Sequence, residues 1–197
     1  MTILGFETTD VIASVALFYQ GELYCSMLDE TKRHAESVLP AADALLRAHN
    51  LTTADVDLFA VDVGPGSFTG VRIGVCLANA LAYAHHKPVV AVNSLEVLAE
   101  PFAQSEKPIC ALIDARNDNG YGALYQKGSC LILPCACVQA DFLANVPSDA
   151  VFTGSACPDH ALPKADSVVR IAMHQSGSVQ VSPMYLRPSQ AERLHNA

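Results

Sequence analysis

Apolar and polar residues alternate with a period of two over residues 2–7, 12–19 and 22–28, and the polar turns Thr8-Thr9-Asp10 and Gln20-Gly21 separate these runs. Alternation sends successive side chains to opposite faces, so the pattern predicts a three-strand meander joined by tight turns. The period then changes. Val38, Ala42, Leu45 and Leu46 fall at helical spacing and predict an amphipathic helix over 34–49, with Pro40 tolerable as a kink or near a first turn. Residues 58–63 read as a buried strand, 69–86 as a helix and 88–92 as a returning strand. The order β-β-β-α-β-α-β describes a mixed sheet with helices packed against it.

Residues 94–102 are helical in pattern, and Gln104-Ser105-Glu106-Lys107 reads as a polar hinge. After it the opening theme partly returns, with an apolar run at 109–114 and short strands at 121–126 and 130–133. The echo predicts two lobes, residues 1–104 and 105–197. Past Phe142 the periodicity weakens and prolines appear at 147, 158, 163, 183 and 188, so the second lobe is expected to be small and loop-rich, with little helix between 166 and 183.

Between the strand at 58–63 and the helix at 69–86 lies Gly64-Pro65-Gly66-Ser67-Phe68-Thr69-Gly70. A glycine-rich loop at a helix start either cradles an anion or admits another backbone at close range. It lacks the lysine of a Walker A loop and the spacing of a dinucleotide loop, so generic phosphate binding is weakly supported. It also misses the last glycine of a G-x-S-x-G elbow, which leaves Ser67 or Thr69 as a helix cap and not a nucleophile.

The helix that follows is apolar on nearly all sides. Gly70, Gly74, Ala78 and Ala82 recur every four residues as a smooth stripe, and Arg72, Cys76, Asn79, Tyr83 and His86 form a second row beside it. Two readings stay open. The helix is an internal one squeezed between the sheet and its neighbour, or stripe and row together form a subunit interface in which Arg72 and Tyr83 are the anchoring types. The second reading expects a bulky residue at Gly74 or Ala78 to abolish pairing while the monomer stays folded.

Composition narrows the function. The 197 residues are 51% hydrophobic, with a mean hydropathy of +0.25. Yet no run approaches the ~20 apolar residues of a membrane span. A net charge of -8 argues against a basic nucleic-acid footprint. The first residues have no basic region and carry Glu7, so no secretory signal is read and a cytoplasmic location is expected. The seven cysteines are odd in number and scattered, as reduced core thiols are, and Cys135-x-Cys137 lacks the two further ligands of a zinc site. His34 is followed four residues later by Val38, so it belongs to no pair of histidines one helical turn apart that could offer two imidazoles to a metal from one face. Asp114 and Arg116 are expected to pair with each other or with the hinge.

Residues 3–9 (ILGFETT), Ser14-Val15-Ala16-Leu17, 34–40, 64–74, Ser94-Leu95, Ile113-Asp114-Ala115-Arg116 and Tyr185-Leu186-Arg187 occur in the order seen in the TsaB (YeaZ-like) family, which the chain resembles. The resemblance implies an α/β, actin-like or sugar-kinase-like (ASKHA) two-lobe fold with mixed sheets flanked by helices and a reduced second lobe. It implies a non-catalytic scaffold and activator that binds a catalytic TsaD-like subunit, forming threonylcarbamoyladenosine beside the anticodon of tRNAs that read ANN codons. The helices at 34–49 and 69–86 would meet the partner through His34, Val38, Gly70, Arg72, Gly74, Cys76, Ala78, Asn79 and Tyr83. A TsaE-like ATPase subunit, a homodimer when the chain is alone, and tRNA contact only through the complex follow from the same resemblance, with no cofactor, metal or catalytic residue of its own. Glu7 departs from the family, which usually has Asp at the end of the first strand. The alternative is a small ATPase or sugar kinase of the same fold, with Glu7, Asp62 and Asp114 as its carboxylates.

Overall fold

A computed structural model describes residues 1–28 and 34–187. Every residue of the first strand, β1 (Ile3–Glu7), is buried, which puts it at the centre of a sheet. β2 (Ser14–Tyr19) and β3 (Glu22–Met27) run back and forth beside it, while β4 (Leu58–Asp62) and β5 (Val89–Val92) lie parallel to it on the other side. The order is β3-β2-β1-β4-β5. Alternation along β1 and β4 decides what each face meets. Leu4, Phe6, Phe59 and Val61 point towards α1 (His34–Ala48) and α2 (Phe68–His85), where they pack with Val38, Leu46, Val71 and Val75. Ile3, Leu58 and Ala60 point the other way, onto α5 (Ala165–Ala172).

A second sheet, of order β8-β7-β6-β9, contains β6 (Ile109–Asp114), β7 (Asn119–Gln126), β8 (Ser129–Val138) and β9 (Val151–Thr153). One face packs on α3 (Ser94–Ala99) through Leu95, Leu98, Ile109 and Tyr125, and the other covers Cys110, Leu124 and Phe142, the last carried by α4 (Gln139–Leu143). The meander with its parallel partners, and a four-stranded second sheet that begins with another antiparallel pair, make up the expected ASKHA-type fold with its reduced second lobe. All seven cysteines are free thiols. No helix among the described residues is long and apolar enough to cross a membrane.

One expectation is corrected: α5 forms where little helix was foreseen between 166 and 183. Its buried residues Ala165, Val168, Val169 and Ala172 sit at i, i+3, i+4 and i+7, a one-faced pattern too short to stand out among the surrounding prolines. α5 lies close because Gly5 of β1 leaves room; a Cβ there would meet Val169 Cγ2 at 2.5 Å. The chain then turns along the opposite edge of the first sheet. Ser178 bridges Val89, Val181 is buried against α2, and the Met184 amide donates to the Val63 carbonyl at 2.7 Å. This strap carries the C-terminal residues back past the start of α2.

Candidate functional site

The glycine-rich loop serves close packing. Gly64 has φ +99, where a side chain would be strained, and leads through a cis peptide into Pro65. A Cβ on Gly66 would lie 2.5 Å from the Thr9 carbonyl oxygen, and one on Gly70 would overlap the Thr8 carbonyl. The turn after β1 is therefore pressed into the start of α2. The Ser67 amide donates to the Thr9 carbonyl at 2.7 Å, and Ser67 Oγ caps the helix by accepting from the Gly70 amide at 3.3 Å. Close backbone approach, one of the two roles open to such a loop, is therefore present here.

Beneath that turn, β1 and β4 end in buried acids. Glu7 Oε1 accepts from the Thr9 amide and hydroxyl at 2.5 and 2.8 Å, while its Oε2 has no hydrogen-bond partner among the described residues. Asp62 accepts from Ser94 Oγ at 2.7 Å, the Gly64 amide at 2.8 Å and Thr9 Oγ1 at 3.4 Å. Burial, reinforced by the neighbouring Asp62 charge, holds the Glu7 carboxyl well above the usual range. Burial also pushes Asp62 up to about 7 against the opposing effect of its hydrogen bonds from Ser94, Gly64 and Thr9. These raised pKa values mean that the folded state holds protons the unfolded chain has released. The stability tied to these protons is complete below about pH 4, the ordinary carboxylate range, and is lost as pH rises, for Asp62 through about 7 and for Glu7 through its own raised value. Chemical denaturation from pH 4 to 8 is expected to show Glu7→Gln gaining stability relative to wild type as pH rises; parallel curves would refute the assignment.

The third candidate carboxylate lies elsewhere. Asp114 is exposed at the end of β6, across a cleft of about 630 Å³ lined by Thr9, Gly66, Ser67, Arg116, Tyr121 and Ser155. Among the described residues no group of three or more His, Cys, Asp or Glu side chains is placed to hold a metal ion. The expected Asp114–Arg116 pairing takes backbone form: Asp114 Oδ1 accepts from the Arg116 amide at 3.0 Å and from Gln139 Nε2 at 3.1 Å. The turn that follows is unusual. Arg116, Asn117 and Asp118 all have positive φ, of 66, 52 and 59. Asn119 braces it, donating to the Asn117 carbonyl at 2.7 Å, and Arg187 donates in turn to Asn119 Oδ1.

On α2 the two rows separate. Gly70, Gly74, Ala78 and Ala82 are buried against the chain's own sheet, and a Cβ on Gly74 would overlap the Thr8 hydroxyl and lie 3.3 Å from Val61 Cγ2. The expectation that a bulky residue at Gly74 or Ala78 leaves the monomer folded is thereby corrected. Val38 of α1 is likewise in the core, 1% exposed, and the His34 side chain lies outside the described residues. The other row faces outward: Arg72 and Cys76 are exposed, Tyr83 is 80% exposed, and Asn79 is half-buried because its amide holds the strap at Val181.

A cluster that helical spacing alone could not reveal completes this face. The Arg72 guanidinium lies 3.8 Å over the Phe68 ring, Phe68 stacks on Tyr185 at 4.9 Å, and Arg72 Nε donates to the Tyr185 hydroxyl at 3.0 Å. Tyr185 belongs to the Tyr185-Leu186-Arg187 triplet, 113 residues away, and that triplet was its signal in the sequence. Leu39 on the outer side of α1 is also exposed.

Comparison with known proteins agrees with this geometry. Residues 29–150 match the sequence model of the family described as TsaD, tRNA N6-adenosine threonylcarbamoyltransferase. The tRNA threonylcarbamoyladenosine biosynthesis protein TsaB of Bacillus subtilis is 36% identical over 127 residues, which span 64% of this chain and 56% of that protein. TsaB of Haemophilus influenzae is 29% identical over 95% of this chain and 94% of its own length. Among solved structures, a Pseudomonas aeruginosa protein described as similar to peptidase YEAZ superposes with a TM-score of 0.80 at 27% identity, covering 94% of this chain and 99% of that one. With its fold, its glycine-rich loop and its sequence relatives in agreement, the chain belongs to the TsaB (YeaZ-like) family.

Proposed function

We propose that the chain is a non-catalytic scaffold and activator subunit in the formation of threonylcarbamoyladenosine on tRNA, and that it binds a catalytic TsaD-like subunit through the outward faces of α1 and α2. The observation that carries the proposal is the separation of the two rows on α2. The small residues are consumed by the chain's own core, while Arg72, Cys76 and Tyr83, extended by Phe68 and Tyr185, lie exposed together. Tyr and Arg are the side chains that most often anchor protein interfaces. In this reading the lobe at 1–104 presents the face, and the strap from the lobe at 105–197 contributes Tyr185 to it. Further support comes from the acids. Glu7 and Asp62 are sealed beneath Thr9 and Ser94 and stand apart from Asp114, which favours a subunit that assembles over one that performs phosphoryl chemistry.

With a net charge of -8, the subunit leaves tRNA to its partners, among them a TsaE-like ATPase. Alone, the same face would pair two copies of the chain. Light scattering of the chain alone and mixed with its cognate TsaD-like protein, with threonylcarbamoyladenosine formation assayed in parallel, tests the proposal. A stable heterodimer that forms the product, with no product from this chain by itself, is expected. ATP hydrolysis by the lone chain without complex formation would overturn it.

A further inference from the structure

Away from the outward row of α2 and from the cleft, a cavity of about 370 Å³ opens between α3, α5, the second sheet and the strap. Its size falls within the range of small-molecule sites, and its walls are mostly apolar, with Ile109, Ala99, Leu133, Pro134, Ile171 and Met184 among them. Three polar groups meet at one side. Asn93 Nδ2 donates to Glu96 Oε2 at 3.1 Å, and the largely buried Tyr125 hydroxyl donates to Asn93 Oδ1 at 3.2 Å. That chain of bonds fixes the Glu96 carboxyl at the cavity wall and leaves its Oε1 with no hydrogen-bond partner among the described residues.

The carboxyl also lacks a charge partner there. Glu100, the other acid on the wall, is held by Arg170 at 3.2 Å and by Ser167 at 2.8 Å, and Arg170 is further engaged by Asp166. Lys127, beside the wall residue Gly128, is paired with Glu106. Burial pushes the Glu96 carboxyl upward with no cation to offset it. An apolar cavity with a single positioned, uncompensated acid is complementary to an organic cation: the ammonium would satisfy Oε1, and the hydrocarbon body would fill the space along Ile109 and Leu133.

We infer that this cavity binds a small primary ammonium compound with an apolar body, held by Glu96 and oriented by Asn93 and Tyr125. The site is independent of the proposed assembly role, so either can fail without the other.

Titration calorimetry of the full chain at neutral pH with 2-phenylethylammonium, and with 2-phenylethanol as its uncharged counterpart, tests the inference. Saturable one-to-one binding of the ammonium is expected, with the alcohol weaker by about tenfold or more, as the loss of one charge-assisted hydrogen bond implies. Glu96→Gln keeps the hydrogen bond from Asn93 but removes the charge, so it should lower ammonium affinity by a similar factor and leave the alcohol unchanged. Ala103→Trp, at an exposed position on the rim, should abolish both. Circular dichroism establishes that each variant is folded, and should Glu96→Gln fail to fold, the wild-type comparison and Ala103→Trp decide. Absence of saturable ammonium binding, equal binding of the alcohol, or full retention by a folded Glu96→Gln would each overturn the inference.

Discussion

A valine at position 70 is expected to unfold the chain or to cost about 4 kcal/mol or more of stability, read as a lower midpoint in urea denaturation. The reason is backbone against backbone. A Cβ on Gly70 would overlap the Thr8 carbonyl oxygen, so no rotamer change relieves the clash. The Thr8 hydroxyl also donates to the Gly70 carbonyl at 2.7 Å, and separating the two segments would leave both groups buried without partners. Neither segment yields cheaply. Thr8 sits just past the central strand β1, and Gly70 belongs to the first turn of a helix whose next inward residues pack on the same strands. Against a total stability of about 5–15 kcal/mol for a domain, such a loss is decisive. Gly21 is the control: its φ is +87 and nothing among the described residues lies within 4 Å of an added Cβ, so Gly21→Ala should cost only about 1 kcal/mol. A Gly70→Val protein with wild-type stability would show that the loop and the Thr8 turn are not packed as described.

Tyr83→Ala is expected to do the opposite, leaving the fold intact and removing the partner. Tyr83 is 80% exposed and makes no hydrogen bond within the described residues, so truncation should change monomer stability by less than about 0.5 kcal/mol. If α2 is the docking face, a tyrosine at its outer surface is a hot-spot type, and its loss should weaken the complex with the TsaD-like subunit by about 2 kcal/mol, roughly thirtyfold in Kd. Surface plasmon resonance with the immobilised partner reads the change directly. Unaltered affinity would move the interface away from the C-terminal half of α2. Arg72→Ala makes a useful companion, because Arg72 is already engaged with Phe68 and Tyr185. Its loss should loosen the strap at Tyr185 as well as weaken docking, whereas Tyr83→Ala should leave the strap in place.

The two substitutions lie on one helix and separate what the pattern of small residues ran together. A stripe of glycines and alanines signals that something approaches closely, but it does not say what. Here the first sheet and the Thr8 turn occupy it.

How much was legible follows from the range of each interaction. Period-two alternation and helical spacing are set by neighbours within a few residues, and they located β1 to β7, the first part of β8, α1, α2 and α3 from the sequence alone. They also marked the glycine-rich loop and the family it points to. Where periodicity was short or interrupted, the reading fell behind. α5 occupies only two turns among prolines, and β9 is three residues long, stabilised by pairing with β6 rather than by its own composition. Only the tertiary structure decided which face of α2 is inside, because that depends on a sheet lying against it. The same holds for the joining of Arg72, Phe68 and Tyr185 and for the enclosure of Glu7 with Asp62, contacts between residues far apart in the chain. Glu96 is the clearest case. In sequence it is an ordinary acid in the first turn of a short helix, and only the packing of distant segments around it turns it into a carboxyl on an apolar cavity wall with no cation partner among the described residues.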